Sequence, residues 1–264
     1  MALPPIDWAQ PWYDTVRPAF ERAAPPQDGF IDAFNAAARA LDLRNGAGQS
    51  LRFVPQSSLP DGTAYEQFIG ATGQVPTRDN LHDFFNALVW LTFPGIKRAL
   101  NTLQAAQIAQ AGVGKSRGPA RDAATIFDEN AALLVVRADA AGRALVDDLR
   151  AHRWREALYD QRAMFGRDAE VWLFGHALME KLVTPRKAIT AHTRVVFVDD
   201  DYFALAPAAR RARIDRDVAA MLANEALTPG SFTPLQVLGV PGWWPGQGPD
   251  FYGDITVFRP RRTD

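Results

Sequence analysis

A polar stripe interrupts an otherwise apolar segment of the chain, RDNLHDFFNALVWLTFP (78–94). At the 3.6-residue period of a helix, four of its polar side chains fall on one face: Asp79, His82, Asp83 and Asn86. A histidine beside a carboxylate in apolar surroundings can hold a general base in one tautomer or orient a metal ligand. We therefore take His82, Asp83 and Asn86 as candidate catalytic residues, and the first two also as candidate metal ligands. The alternative is an ordinary amphipathic helix with a solvated polar face.

A second group of charged side chains lies in RDAATIFDENAALLVV (121–136). The apolar runs predict a strand, a tight turn formed by the DEN residues, and a second strand. Asp122 and Asp128 could join the histidine of the stripe in binding Mg²⁺ or Mn²⁺ through oxygen, or Zn²⁺ with further histidines. They could instead serve as a general acid and base, with Arg121 binding an anionic group. The alternative is structural, because Asp, Glu and Asn are common turn formers, and we assign Glu129 to the turn.

The other three histidines differ in setting. His192 stands where a short helix opening at Pro185 is expected to meet a strand. Because strand ends often carry functional groups, it is a further candidate metal ligand. His176 falls in a predicted helix over 168–183, where its neighbours indicate apolar packing. His152 lies on a charged helix face, and we expect it to be exposed to solvent.

Composition limits the classes of function. Lys and Arg total 29 against 30 for Asp and Glu, a formal net charge of −1, whereas nucleic-acid binders usually carry a basic excess. A nucleic-acid role ranks third and rests on a local basic face: Arg210, Arg211, Arg213 and Arg216. The chain has no cysteine, which excludes disulfides, thiolate zinc sites and cysteine nucleophiles. The N-terminus lacks a signal-peptide pattern, and no apolar run reaches the ~18–20 residues of a membrane span, so we expect a cytoplasmic protein.

The segment AQAGVGKSRGP (109–119) contains Gly-Lys-Ser but does not form a phosphate-binding loop. That loop requires glycine at the position of Ala109, and it leaves a strand rather than a helix. We expect Lys115 and Arg117 to lie in a solvated basic connection whose strongest role would be to bind an anion.

Hydrophobic periodicity predicts a helix-dominated chain. Helices are expected over about 29–43, 78–93, 96–110, 140–160, 168–183 and 207–227, the second of them capped by Thr77. Further strands are expected near 51–54 and in TRVVFVD, 193–199. The predicted fold is a single α+β domain over 1–264, helix-dominated, with a small β-sheet. An irregular N-terminal arm (about 1–28) and an aromatic, Pro/Gly-rich C-terminal arm (about 228–264) flank it.

Three stretches of the chain resemble a known family. VPTRDNLHDFFNALVWLTFP, RGPARDAATIFDENAALLV and HALMEKLVTPRKAITAH are similar to the motifs of an uncharacterised bacterial domain of unknown function, DUF3025. The resemblance runs from about Tyr65 to beyond His192. The family pattern often carries glycine after Asn130, where this chain has Ala131. The resemblance implies a bacterial, cytoplasmic protein whose chain is one family domain, and it brings no activity, cofactor or site residue.

Two functions of different classes fit these residues. The first is a divalent-metal-assisted hydrolase acting on a small-molecule or anionic ligand. Its metal (Mg²⁺, Mn²⁺ or Zn²⁺) would be held by ligands drawn from His82, Asp83, Asp122, Asp128, His192 and His176. The second is a non-catalytic binding protein, in which the polar stripe forms a structural hydrogen-bond network with residues 121–130. The first predicts that the candidate ligands converge within a few ångströms, and the second that no cavity adjoins them.

Overall fold

Helices alternate with short strands along most of the chain, and a computed structural model describes residues 3–26, 29–111 and 119–261. In chain order, the α-helices within these ranges are α1 (Arg17–Ala23), α2 (Ile31–Ala40), α3 (Tyr65–Thr72), α4 (Leu81–Thr92), α5 (Pro94–Ala111), α6 (Pro119–Asn130), α7 (Ala140–Arg150), α8 (His176–Lys181), α9 (Pro207–Asn224) and α10 (Pro249–Tyr252). The strands are β1 (Arg52–Pro55), β2 (Gln74–Thr77), β3 (Ala131–Arg137), β4 (Ala169–Leu173), β5 (Thr190–Val198) and β6 (Thr233–Gln236). The expected helix-dominated α+β domain is confirmed.

The strands of the described residues form two small sheets rather than one. The larger has the order β4-β3-β5-β6, with β3 parallel to β5 and the outer strands antiparallel to their neighbours. In the smaller, β1 pairs with β2 in parallel. The first six residues of β3 are all buried, as expected for a central strand that is covered on both faces. The segments expected to be irregular arms also hold regular elements, namely α1 in the first and β6 and α10 in the second.

Helix α4, which carries His82, Asp83 and Asn86 of the polar stripe, lies in the core, and Asp79 precedes it. Every residue from Asp83 to Thr92 is buried, and the ring of Phe85 stacks on that of Tyr13 from the N-terminal segment. A helix buried on all sides needs protein partners for its polar groups, because unpaired ones would cost free energy. The helix is capped by Asn80, whose side chain accepts a hydrogen bond from the backbone N–H of Asp83. The expected cap, Thr77, instead ends β2.

The prediction of a strand and a turn over 121–130 is wrong. This segment is the helix α6, and β3 begins at the next residue. The buried side chains of α6 are Ala123, Ala124, Phe127 and Asp128, a spacing that lines one helical face rather than alternating as in a strand. Asp128 and Glu129 therefore lie on the last turn of a helix, and Asp122 lies on its first turn. This places Asp128 toward the core.

The prediction of a single helix over 168–183 is also wrong. Residues 169–173 form β4, which pairs with β3, and α8 starts at His176 after a break at Gly175. The short helix expected at Pro185 is absent too, since turns connect α8 to β5. The helix expected over 140–160 ends as α7 at Arg150. Among the helices of the described ranges, none combines the length and the hydropathy that a membrane span requires.

Candidate metal centre

His82 and His176 face each other where α4 and α8 begin. Their Nε2 atoms lie 3.0 Å apart, with the two rings at 79°. Glu129, on the last turn of α6, places its Oε2 3.5 Å from Nε2 of His176 and 3.9 Å from Nε2 of His82. Three helices that are distant in sequence thus bring three potential ligand atoms together. Within the described ranges, these are the three residues whose ligand atoms converge in this way.

The spacing of the three atoms suits a metal ion. A triangle with sides of 3.0, 3.5 and 3.9 Å has a centre about 2.0 Å from each corner, and zinc binds histidine nitrogen and carboxylate oxygen at about 2.0–2.2 Å. An ion slightly above the plane of the triangle would stay within that range. Two imidazoles and one carboxylate therefore surround a point at bonding distance from all three.

The second nitrogen of each ring faces a carboxylate. Nδ1 of His82 lies 3.1 Å from Oε2 of Glu180, and Nδ1 of His176 lies 3.8 Å from Oδ2 of Asp128. Metal-binding histidines characteristically direct their second N–H to such a group, which fixes the tautomer. With both protons on Nδ1, the two Nε2 atoms present lone pairs to each other and to Glu129.

This arrangement favours an added positive charge. A hydrogen bond from one neutral ring to the other would leave an unprotonated Nδ1 facing either Glu180 or Asp128, which is repulsive. One extra proton on His82 would resolve the conflict, and so would a metal ion between the rings. Nδ1 of His176 is buried and has no hydrogen-bond partner, since 3.8 Å is too long for a direct hydrogen bond.

Burial differs across the cluster and sets its protonation. Burial lowers the pKa of His176 to about 3, so this ring is neutral near pH 7, which is the form that binds metals. The side chains of His82 and Glu129 keep 30% and 32% of their surface exposed, so the centre is accessible from one side. Partial burial raises the pKa of Glu129 above its usual value, although the charge of His82 opposes this.

A buried lysine, Lys97, binds the carboxylate that faces His176. Nζ of Lys97 donates hydrogen bonds to Oδ1 of Asp128 at 2.6 Å and to Oδ1 of Asn86 at 2.8 Å, and it lies 5.2 Å from the ring centre of Trp90. Burial alone would raise the pKa of Asp128, but the charge and hydrogen bond of Lys97 act together with the two histidines to keep it below the usual value. Asp128 therefore carries a negative charge toward His176. The amide of Asn86 also donates to the hydroxyl of Tyr65 at 3.1 Å.

Asp83 has a structural partner instead. Its carboxylate accepts hydrogen bonds from the backbone N–H of Arg78 at 2.6 Å and from that residue's guanidinium at 2.9 and 3.0 Å. Both oxygens are thereby occupied at the start of α4. Asp83 is not one of the three residues whose ligand atoms converge.

The structure gathers part of the predicted site. It brings His82 to His176, which sequence reasoning assigned to apolar packing, and it places Asp128 behind the latter. Asp122 is exposed on α6, and His192 is exposed on β5 with its ring 6.0 Å from Phe232. Neither belongs to the converging group within the described residues. Lys115 and Arg117 lie outside the described residues.

Sequence reasoning missed Glu129 as a ligand, and it missed Glu180 and Lys97 entirely. A helical interpretation of residues 119–130 would have placed Glu129 one residue after the buried Asp128 and so near the same end of the core. For Glu180 and Lys97 the sequence carries no local signal, because their roles depend on contacts between separate helices.

Two adjoining cavities open beside the centre. One, of about 300 Å³, is lined by the three converging residues and by Tyr65. The other, of about 340 Å³, reaches Arg121. They share four wall residues: Tyr65, Glu66, Asp128 and Glu129. A larger groove of about 1270 Å³ lies between α5 and α9, and no converging ligand atoms line it in the described part of the chain.

Comparison with known proteins gives one match, to a family. The model of the family described as "Protein of unknown function (DUF3025)" matches residues 51–262, a range that includes every residue of the centre. No curated protein and no solved structure matches the chain. Because the match covers most of the sequence, the chain belongs to the DUF3025 family.

Proposed function

We propose that this protein binds a divalent metal ion through His82, His176 and Glu129 and uses it to activate water for hydrolysis. The observation that carries the proposal is the convergence of three ligand atoms, together with a carboxylate facing the second nitrogen of each histidine. Two imidazoles and a carboxylate suit Zn²⁺ or Mn²⁺ better than Mg²⁺, which favours oxygen ligands. Two histidines and one glutamate are also the protein ligands of several catalytic zinc sites.

Three protein ligands leave coordination positions for water and substrate, and the exposed side of the cluster adjoins the 300 Å³ cavity. A metal held in this way would lower the pKa of a bound water from far above neutrality to about 7. We assign Glu66, which lines both cavities and whose pKa burial raises, as the base that takes the water proton. The water oxygen then bonds to the electrophilic carbon or phosphorus of the substrate. As the bond to the leaving group breaks, Glu66 returns the proton to that group.

A second candidate is the non-catalytic network. It is favoured by the oxygens of Asp83 and by the Asn86–Lys97–Asp128 hydrogen bonds, which are satisfied by protein groups alone. In that case an extra proton on His82 supplies the positive charge between the rings. The adjoining cavities favour the metal centre, because a purely structural network predicts no open space at this position.

Metal titration tests the proposal. Protein stripped with a chelator is titrated with Zn²⁺, Mn²⁺, Mg²⁺ and, without oxygen, Fe²⁺, which the same donor set can also hold. We expect saturable binding of one equivalent and a free energy of unfolding raised by about 2.7 kcal/mol at a hundred times the dissociation constant. His82→Gln, His176→Gln and Glu129→Gln should each abolish this effect.

His192→Gln is the matched control and should bind metal as the unchanged protein does. The metal centre would be contradicted if no metal binds, or if the three ligand variants bind metal as tightly as the unchanged protein. The protonated network would then be the remaining explanation. Hydrolysis is tested separately, with p-nitrophenyl esters and bis(p-nitrophenyl) phosphate. Metal-loaded protein should cleave at least one of them, and Glu66→Gln should lose this activity while it retains metal. A metal-loaded protein that cleaves none would contradict the hydrolase assignment alone.

A further inference from the structure

Tyr65 directs an unused hydrogen-bond donor at the cavities. Its hydroxyl oxygen accepts from the amide of Asn86 at 3.1 Å, and within the described residues its own hydrogen has no acceptor. Burial, reinforced by the charge of Glu66, raises the pKa of Tyr65 far above its usual value. The hydroxyl therefore keeps its proton. Tyr65 lines both cavities.

Arg121 supplies a second unused donor. Its side chain lines the 340 Å³ cavity from the first turn of α6, and its guanidinium makes no ion pair or hydrogen bond with the residues that the structure describes. Arg78, which lines the other cavity, differs because Asp83 occupies its guanidinium. A planar guanidinium with unoccupied N–H groups is the side chain best suited to a carboxylate or phosphate.

The acidic residues of the same walls cancel these donors only in part: burial raises the pKa of Glu66, and the charge of Arg121 is one of the weaker effects that oppose this rise. Asp128 is neutralised by Lys97 at 2.6 Å, and Glu129 would be neutralised by the metal that it binds. Glu66 accepts a hydrogen bond from Asn101 at 2.6 Å, so part of its bonding capacity is already used. The donors of Tyr65 and Arg121 thus face space in which most of the negative charge is compensated.

We infer that the substrate is a small oxyanion-bearing molecule whose carboxylate or phosphate group binds Arg121 and whose reacting carbonyl or phosphoryl oxygen accepts a hydrogen bond from Tyr65. The inference rests on the proposed function, because the reacting end of the molecule must lie at the metal. Cavities of about 300 and 340 Å³ have the size of small-molecule sites. Arg121 would act as the residue that determines specificity for acids.

The test uses calorimetric titration of the metal-loaded protein with inorganic phosphate in one arm and glutarate in the other. Arg121→Gln should weaken binding by about ten- to a hundredfold in whichever arm binds, as expected for loss of a charged hydrogen-bond pair. Tyr65→Phe should weaken it by about fivefold, the value of one neutral hydrogen bond. Metal affinity should remain unchanged in both variants, which also shows that they fold.

Arg39→Gln and Tyr159→Phe are the matched controls and should bind as the unchanged protein does. The arm that binds identifies the anion as phosphate or carboxylate. Metal binding without binding of either anion, or anion binding that Arg121→Gln leaves intact, would overturn this inference and leave the proposed function standing. An unchanged protein that binds no metal would overturn the proposed function, and this inference with it.

Discussion

Nε2 of His82 and Nε2 of His176 lie 3.0 Å apart although 94 positions separate the residues in the chain. The contact forms because α4 and α8 pack with their N-terminal ends together, and each of these ends carries a histidine. Two ring nitrogens at this distance require a proton or a metal ion between them, given the carboxylates that face the opposite nitrogens. The charge of this cluster thus depends on whether a proton or a metal ion lies between the rings.

Removing the carboxylate of Glu180 should weaken metal binding without removing a ligand. Oε2 of Glu180 lies 3.1 Å from Nδ1 of His82 and holds that ring with Nε2 directed at the centre. Loss of such a partner typically costs about ten- to a hundredfold in metal affinity. We expect this loss for Glu180→Gln in a calorimetric titration. Glu156→Gln changes an exposed glutamate and should have no effect, and equal affinity of the two variants would show that Glu180 does not orient His82.

His176 should make stability depend on pH below about 6.5. Its pKa is about 3 in the folded chain, against 6.5 for an ordinary histidine. Between these values the unfolded chain binds a proton at this position and the folded chain does not, so the free energy of unfolding falls as the pH falls. Above 6.5 neither state is protonated and the effect vanishes. The slope is about 1.4 kcal/mol per pH unit, or about 2 kcal/mol between pH ~6.5 and pH ~5.

Urea unfolding of chelator-treated protein at several pH values measures this slope. His176→Gln cannot take up the proton, so its stability should fall less steeply over the same range. The matched variant His152→Gln replaces a more exposed histidine and should keep the slope of the unchanged protein. If His176→Gln has that slope as well, His176 takes up a proton equally in the folded and unfolded chains, and burial does not lower its pKa.

Gly175 should not tolerate a side chain. A Cβ at this position would lie 2.5 Å from the carbonyl oxygen of Glu129 and 2.6 Å from the backbone nitrogen of Ala131, and backbone atoms cannot rotate away. Overpacking of this kind costs about 1–3 kcal/mol. We expect Gly175→Ala to lower the free energy of unfolding by this amount and to weaken metal binding, because the displaced backbone carries a ligand.

Gly248→Ala is the comparison for this variant. No atom lies within 4 Å of a Cβ built at Gly248, and its φ of −82° suits any residue. This variant should lose less than about 1 kcal/mol and retain full metal affinity. A Gly175→Ala protein as stable as Gly248→Ala would mean that the junction of α6 and β3 can shift without cost.

The sequence predicts the long periodic elements well. Helices α2, α5 and α9 and strand β5 fall where their apolar spacing indicates. The prediction fails where a short apolar run fits either a strand or a helix, because periodicity cannot separate a buried strand from a buried helix over a few residues. Because of that ambiguity, the sequence pattern predicted a strand and a turn where α6 lies. It also predicted one helix where β4 and α8 are separate elements on either side of Gly175.

From the sequence, the candidate site could be predicted only for the residues that lie on a single helix. The spacing of the stripe in α4 singled out His82, because a polar face on an apolar helix is a local pattern. His176 and Glu129 enter the centre from other helices, and their roles depend on how α8 and α6 pack against α4. Lys97 has the least local signal, since a lysine in a helix is ordinarily solvated and only the tertiary contacts bury it.

Lys97→Met should strongly destabilise the fold, because it leaves the buried carboxylate of Asp128 without its cation. Only 5% of the lysine side chain and 12% of its partner are exposed. Breaking one half of such a pair costs about 3–5 kcal/mol, whereas an exposed pair contributes about 0–1 kcal/mol. Lys187→Met, which breaks the more exposed pair with Asp254, should therefore lose little.

The double variant Lys97→Met with Asp128→Asn should recover part of the loss, because it removes the stranded charge. Urea unfolding of the three proteins measures these differences. A single Lys97→Met variant that stays within about 1 kcal/mol of the unchanged protein would show that Asp128 takes up a proton at little cost. The charge facing His176 would then depend on pH rather than on the lysine, and the double variant would show no recovery.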